Sequence, residues 1–162
     1  MTPPKRLTRP APHFDSLEQE VFLSIWRTYD RLKMLEDELF ARFDLTPQQY
    51  NVLRLLRAES PDAIPTLALQ TRLVSRAPDI TRMLDKLEER GLIVRDRPAG
   101  NRRVVQVALA SGGHELLDAI AGPLRECHAR QLGHMTAAQL KQLTQLLHAA
   151  RKPHEDPGGV WE

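Results

Sequence analysis

The chain carries one cysteine, Cys127, in 162 residues. A lone thiol cannot close an intrachain disulfide, which fits a reducing compartment. No apolar run approaches the roughly 18 residues needed to span a bilayer. Met1–Pro12 holds four prolines and three basic residues in place of an apolar signal core. The expectation is therefore a cytoplasmic protein without a membrane partner. There is no glycine-rich phosphate loop and no defensible Ser-His-Asp order, so no catalytic residue is assigned and no cofactor is expected. A large charge of one sign is also missing: the formal net charge is +2. Global electrostatics thus selects no partner.

What the chain does have is a locally basic middle. Between Thr66 and Leu109 nine Lys and Arg stand against five Asp and Glu, a net of +4, while the remainder holds fourteen against sixteen. A basic segment in a near-neutral chain points to an anionic partner for that segment. With 41% hydrophobic and 27% charged residues, the composition is that of a globular protein, and the length suits about one domain.

The pattern along the chain gives a mainly α fold with a small β-hairpin. Residues 1–14 read as a disordered basic arm, 15–152 as one domain and 153–162 as a flexible tail. A long helix follows the arm, with Leu17, Val21, Ile25, Leu32, Leu35 and Leu39 at three- and four-residue spacings. Phe22, Trp26, Tyr29, Phe40 and Phe43 widen its apolar surface, so the helix must bury itself on two partners, its own domain and a second subunit. Thr46-Pro47-Gln48-Gln49 is a capping box with proline at the first helical position, and Leu45 can staple onto Tyr50. The second helix then runs to about Ala58, and Glu59–Pro65 is read as a loop. Thr66 is expected to cap a short third helix. Pro78 is expected in the first turn of a fourth helix that closes at Arg90-Gly91. Leu92-Ile93-Val94 and the alternating Val105, Val107 and Leu109 are two strands joined by turn residues. Ser111-Gly112-Gly113 opens a fifth helix and the capping box at Thr136 a sixth, with Leu140, Leu143, Leu146 and Leu147 as its stripe.

Helix, short helix, turn, helix and basic hairpin is the order of a winged helix-turn-helix. The lobe spans about 46–110, between helical regions at about 15–44 and 112–152. On the fourth helix Ile80, Met83, Leu84 and Leu87 form the buried face. The opposite face offers Ser75, Pro78, Arg82, Asp85 and Glu89, flanked by Asp79 and Lys86. Hydroxyls, an arginine and a helix N-terminus are what a major-groove edge and its phosphates require. Arg95, Arg97, Arg102 and Arg103 near the tip of a narrow hairpin suit a minor groove. The candidate contacts with double-stranded DNA are Thr66, Ser75, Arg76, Pro78, Asp79, Thr81, Arg82, Lys86, Arg97, Asn101, Arg102 and Arg103. The acidic C-terminal half of the fourth helix is expected to tilt away from the duplex.

The run Ser75-Arg76-Ala77-Pro78-Asp79-Ile80-Thr81-Arg82-Met83-Leu84-Asp85-Lys86-Leu87-Glu88-Glu89-Arg90-Gly91-Leu92-Ile93 resembles the recognition helix of the multiple antibiotic resistance regulator (MarR) family. Asn101-Arg102-Arg103-Val104-Val105-Gln106-Val107-Ala108-Leu109 resembles its wing. The resemblance covers about Ser16 to Arg151. It implies that the regions at about 15–44 and 112–152 are dimerisation helices, joining a homodimer through the first, fifth and sixth helices. It also implies a palindromic operator, and often release by a small ligand such as a phenolic acid. Two positions depart from the family pattern: Asn101 stands for the usual aspartate and Ala110 for a threonine, which leaves Ser111 as the candidate N-cap. The family's ligand site lies between the dimerisation helices and the lobe. Trp26, Tyr29 and Tyr50 are the candidate aromatic liners there, with Arg27 or Arg31 meeting a carboxylate. Packing in the core or dimer is the competing role for these aromatics.

The function expected is a sequence-specific, dimeric DNA-binding repressor released by a small aromatic ligand. Two alternatives stand beside it. One is a redox- or metal-responsive regulator acting through Cys127 and His128. The cluster Cys127, His128 and His134 lacks a clear metal spacing, so no metal ligand is assigned. The other is a winged helix that binds protein and not DNA, against which the basic wing and Arg82 argue.

Overall fold

The structure is a computed structural model and describes residues 13–74, 79–98 and 104–155. The chain forms two compact units, residues 1–34 and 35–162. The expected basic arm falls almost wholly outside the described residues, as does the tail from residue 156.

The described residues of the first unit are dominated by the N-terminal part of α1 (Leu17–Ala41). The Ser16 hydroxyl accepts from the Gln19 amide at 3.1 Å and starts the helix. Leu17, Phe22, Trp26 and Tyr29 are all exposed, at 62–71% of their surface, and the Phe22 and Trp26 rings lie tilted 6.4 Å apart. An apolar helix in this state has surface that water disfavours.

The second unit begins with the C-terminal part of α1, where Leu39 and Phe40 are buried. It continues through α2 (Pro47–Glu59), β1 (Ile64–Pro65), α3 (Thr66–Arg72), α4 (Ile80–Glu89), β2 (Ile93–Asp96), β3 (Gln106–Leu109), α5 (Ser111–Leu132) and α6 (Ala137–Arg151). A short 3-10 turn, Lys152–His154, follows α6. The three strands form one antiparallel sheet in the order β1-β3-β2. Its core is built from Val52, Leu53 and Leu56 of α2, Leu69 of α3, Ile80, Leu84 and Leu87 of α4, and Ile93, Val107 and Ile120.

The capping boxes at Thr46 and Thr136 both form, each with hydroxyl and glutamine side chain bonded reciprocally across the first turn. Tyr50 stacks on Phe40, ring centroids 4.7 Å apart. Gly91 closes α4 at a φ of 68°, a left-handed position that suits glycine.

Four local expectations change. Ile64–Pro65, read from sequence as loop, is a strand: Ile64 pairs with Val107 and Pro65 with Gln106. Proline is tolerated there because β1 is an edge strand. Thr66 does not cap α3. Pro65 holds the cap position without a side-chain bond, and the Thr66 amide and hydroxyl both donate to the Val105 carbonyl, at 3.0 and 3.2 Å. Helix α4 begins later than the proline pattern implies, with Asp79 as its N-cap. Ser111 is the first residue of α5 and not its cap; Ala110 holds that place with no side-chain bond. The close approach of α5 to the α4–β2 turn takes over: the Ala110 amide donates to the Leu92 carbonyl at 3.1 Å.

Candidate nucleic-acid interface

Helix α4 presents three stripes. Ile80, Leu84 and Leu87 are buried. Thr81, Asp85 and Glu88 line an open groove of about 980 Å³ that α4 shares with Thr66, Leu67 and Gln70 of α3 and with Arg95, Arg97 and Val104 of the hairpin. On the third stripe Arg82, Lys86 and Glu89 are exposed. The Asp79 carboxylate accepts from the Arg82 amide at 3.0 Å. That bond satisfies an orphan donor of the helix start and leaves the Arg82 side chain free of the cap.

Of the twelve candidate DNA contacts, six are described. Thr81, Arg82, Lys86 and Arg97 are exposed on α4 and the hairpin. Thr66 is half-buried and engaged by Val105, so its hydroxyl ties α3 to the sheet. Asp79 is engaged as the cap. Ser75, Arg76, Pro78, Asn101, Arg102 and Arg103 lie outside the described residues.

The acidic half of α4 has a partner that sequence reasoning missed. The Arg95 guanidinium donates to Glu88 Oε2 from Nε at 2.9 Å and from an Nη at 2.6 Å, and the Arg95 amide donates to Glu88 Oε1 at 3.1 Å. Asp85 Oδ1 stands 2.6 Å from the same guanidinium. The Arg95 hydrogen bond holds the Glu88 carboxyl below the usual glutamate range, and Glu88 raises the arginine in turn. The signal was present as two acids at i and i+3 on α4, followed seven residues after Glu88 by an arginine beyond a glycine turn.

These features have counterparts among known proteins. A model of the MarR family matches residues 45–105, which contain α2, α3, α4 and β2. The homoprotocatechuate degradative operon repressor of Escherichia coli is 31% identical over 106 residues, covering 65% of this chain and 70% of the relative. This chain belongs to the MarR family. The crystal structure of a MarR transcription factor from Planctomyces limnophilus is 51% identical, covers 85% of this chain and 99% of its own, and superposes with a TM-score of 0.68. The MarR-family regulator Sco3205 from Streptomyces coelicolor, solved in complex with DNA, shares the fold at 18% identity, a TM-score of 0.79 and coverage of 94% and 98%.

The other candidate residues of this MarR-family chain fall as follows. Trp26, Arg27, Tyr29 and Arg31 are exposed on α1 within the first unit. Tyr50 belongs to the second, where burial pushes its hydroxyl pKa up and its ring packs on Phe40. Cys127 is buried on α5, and burial, reinforced by the Glu36 carboxylate, pushes its thiol up. That is the reverse of the electropositive, accessible surroundings of a reactive thiol. His128 Nε2 lies 3.5 Å from Glu36 Oε1. Among the described residues no three His, Cys, Asp or Glu gather as a metal site would need, and no helix is long and apolar enough to cross a membrane. The redox and metal alternatives are not favoured.

Proposed function

We propose that this chain is a sequence-specific regulator of transcription that binds double-stranded DNA as a homodimer and represses. The observation that carries the reading is the exposure of Arg82 and Lys86 on one stripe of α4 and of Thr81 beside it, next to a hairpin that presents Arg97. Helix α4 enters the major groove and the hairpin follows the neighbouring backbone. Relatives named as repressors or solved with DNA support the same assignment.

The apolar surface of α1 supports the dimer, as does α6, which has no buried residue and exposes Leu146 at 61%. A two-fold dimer places two half-sites about one helical turn, 34–36 Å, apart on one face of the duplex. Release by a small aromatic acid completes the proposal, with Arg27 or Arg31 as the cation on α1 that meets its carboxylate.

Selection of duplexes from a random pool, followed by footprinting, tests the reading. Protection of a near-palindrome by a species of twice 18.5 kDa is the expected result. A stable monomer, or binding equal on selected and scrambled duplexes, overturns it. Addition of a phenolic acid to the bound complex tests release.

A further inference from the structure

The hairpin and α4 meet through the Arg95 cluster, and its charge is of the wrong sign for a phosphate contact. One guanidinium faces two carboxylates, Asp85 at 2.6 Å and Glu88 at 2.6 Å. The group is a local anion on a surface where Arg82, Lys86 and Arg97 are exposed. Left to long-range electrostatics, it weakens attraction to DNA.

Its geometry is that of a clamp. Glu88 binds Arg95 through backbone and side chain together, a bidentate arrangement that fixes direction as well as distance. Arg95 is in the middle of β2, where its register partner is the fully buried Val107. Val107 also pairs with Ile64 of β1, and β1 runs straight into α3. One grip on β2 is thereby carried across all three strands. The Arg95 side chain is 23% exposed, the least of the three partners.

We propose that Arg95 is a positioning residue for DNA binding: held by Asp85 and Glu88, it fixes the hairpin against α4 so that both elements meet one duplex in a single geometry. The proposal rests on the DNA-binding reading given above. It concerns a residue that touches protein carboxylates and not the nucleic acid. The two acids act in DNA recognition although their charge opposes it.

The opposition of signs makes the test sharp. Glu88→Gln removes one negative charge from the binding face and keeps the side chain's size. Electrostatics alone predicts tighter binding. Loss of the clamp predicts weaker binding, by about tenfold for a charge-assisted, multiply bonded contact. Glu89→Gln makes the same charge change on the exposed stripe and serves as the control, expected to bind equally or slightly more tightly. Affinities are measured on a duplex selected by the wild-type protein from a random pool. Amide exchange at Arg95 and along β2 in free protein reports the clamp without DNA, and thermal midpoints confirm that each variant is folded.

The expected result is faster β2 exchange and weaker DNA binding in Glu88→Gln, with neither in Glu89→Gln. Unchanged or tighter binding by Glu88→Gln overturns the positioning role while the DNA-binding reading stands. Unchanged β2 exchange also overturns it, since the grip is then absent in solution. A wild type that selects no duplex defeats the DNA-binding reading itself, and the positioning role with it.

Discussion

The Arg90 guanidinium donates to the Phe43 carbonyl at 3.1 Å and also to the carbonyl of Asp44, so the C-cap of α4 closes the turn that ends α1. Asp44 sits there at a φ of 51°, in the left-handed region. The carbonyls at a helix end need donors, and a cation is favoured at that end of the dipole. Arg90→Ala is expected to destabilise the full chain by about 1–2 kcal/mol, the lower range for a charged hydrogen bond at a partly exposed side chain. Chemical denaturation at one fixed protein concentration measures it. Arg90→Lys should recover only part, because a single ammonium replaces the fork. A midpoint unmoved in Arg90→Ala would show that the bonds form without stabilising.

Gly113 and Gly122 both lie on α5 and should respond differently to a side chain. A β-carbon on Gly113 would stand 2.3 Å from the Leu92 carbonyl oxygen and 2.5 Å from a Leu109 methyl. The Leu92 carbonyl is the acceptor for the Ala110 amide, so it cannot withdraw cheaply. Gly113→Ala is expected to cost about 1–3 kcal/mol as overpacking. At Gly122, among the described residues, nothing beyond its sequence neighbours and the backbone of its own helix lies within 4 Å of the added carbon. Pro123 follows it, and the proline ring crowds a β-carbon on the preceding helical residue, which offsets the better helix propensity of alanine. The thermal midpoint should fall in Gly113→Ala and stay near wild type in Gly122→Ala. If both fall alike, the packing at the start of α5 is wrong.

Much of this architecture was legible because its signals are local. Two capping boxes, the glycine after Arg90 and the spacing of Ile80, Leu84 and Leu87 each fix geometry within a turn or two. The exposed positions of Arg82, Lys86 and Glu89 followed from the helical period alone, whereas Asp85, expected on the same face, is half-buried against Arg95. What escaped was non-local. Two residues, Ile64 and Pro65, are too short for any period, and they become a strand only because β3 offers a free edge. Thr66 has the right chemistry for a cap, yet its hydroxyl donates to the carbonyl of Val105, the residue just before β3. Arg95 looked like one more basic hairpin residue. Its partners are seven and ten positions earlier, and only the turn at Gly91 brings β2 back along α4 to meet them.

The clamp sets a direction for pH. Arg95 depresses the Glu88 pKa in the folded state relative to the unfolded chain. The resulting stabilisation is present above the ordinary glutamate value and is lost as pH falls through the depressed one. Between about pH 6 and pH 8 the clamp should therefore contribute a constant amount, and only acid should release β2. In amide-exchange profiles corrected for intrinsic rates, β2 should loosen in acid for wild type. Glu88→Gln should already be loose at neutral pH and change less. Loosening that begins near neutrality would point to a histidine instead.

Base reading and backbone contact should separate at Arg82 and Arg97. Arg82 is the third residue of α4 and exposed, and its amide remains capped by Asp79 whatever side chain it carries. Arg82→Ala therefore removes the guanidinium without disturbing the helix start, and alanine is the better helix former. The expected effect is a loss of roughly 1–3 kcal/mol on the selected duplex at each half-site, with little loss on a scrambled one. Arg97 follows β2 and is exposed, its amide bonded to Asp96 Oδ1 at 2.7 Å. Arg97→Ala should weaken both duplexes alike and lower the slope of log K against log salt by about 0.9 for each phosphate no longer neutralised. Isotherms on the two duplexes at several salt concentrations decide between these signatures. Should Arg82→Ala scale both duplexes together, α4 docks on DNA but reads no base through Arg82. Should both variants bind the selected duplex like wild type, this face of α4 and the hairpin is not the DNA-binding surface.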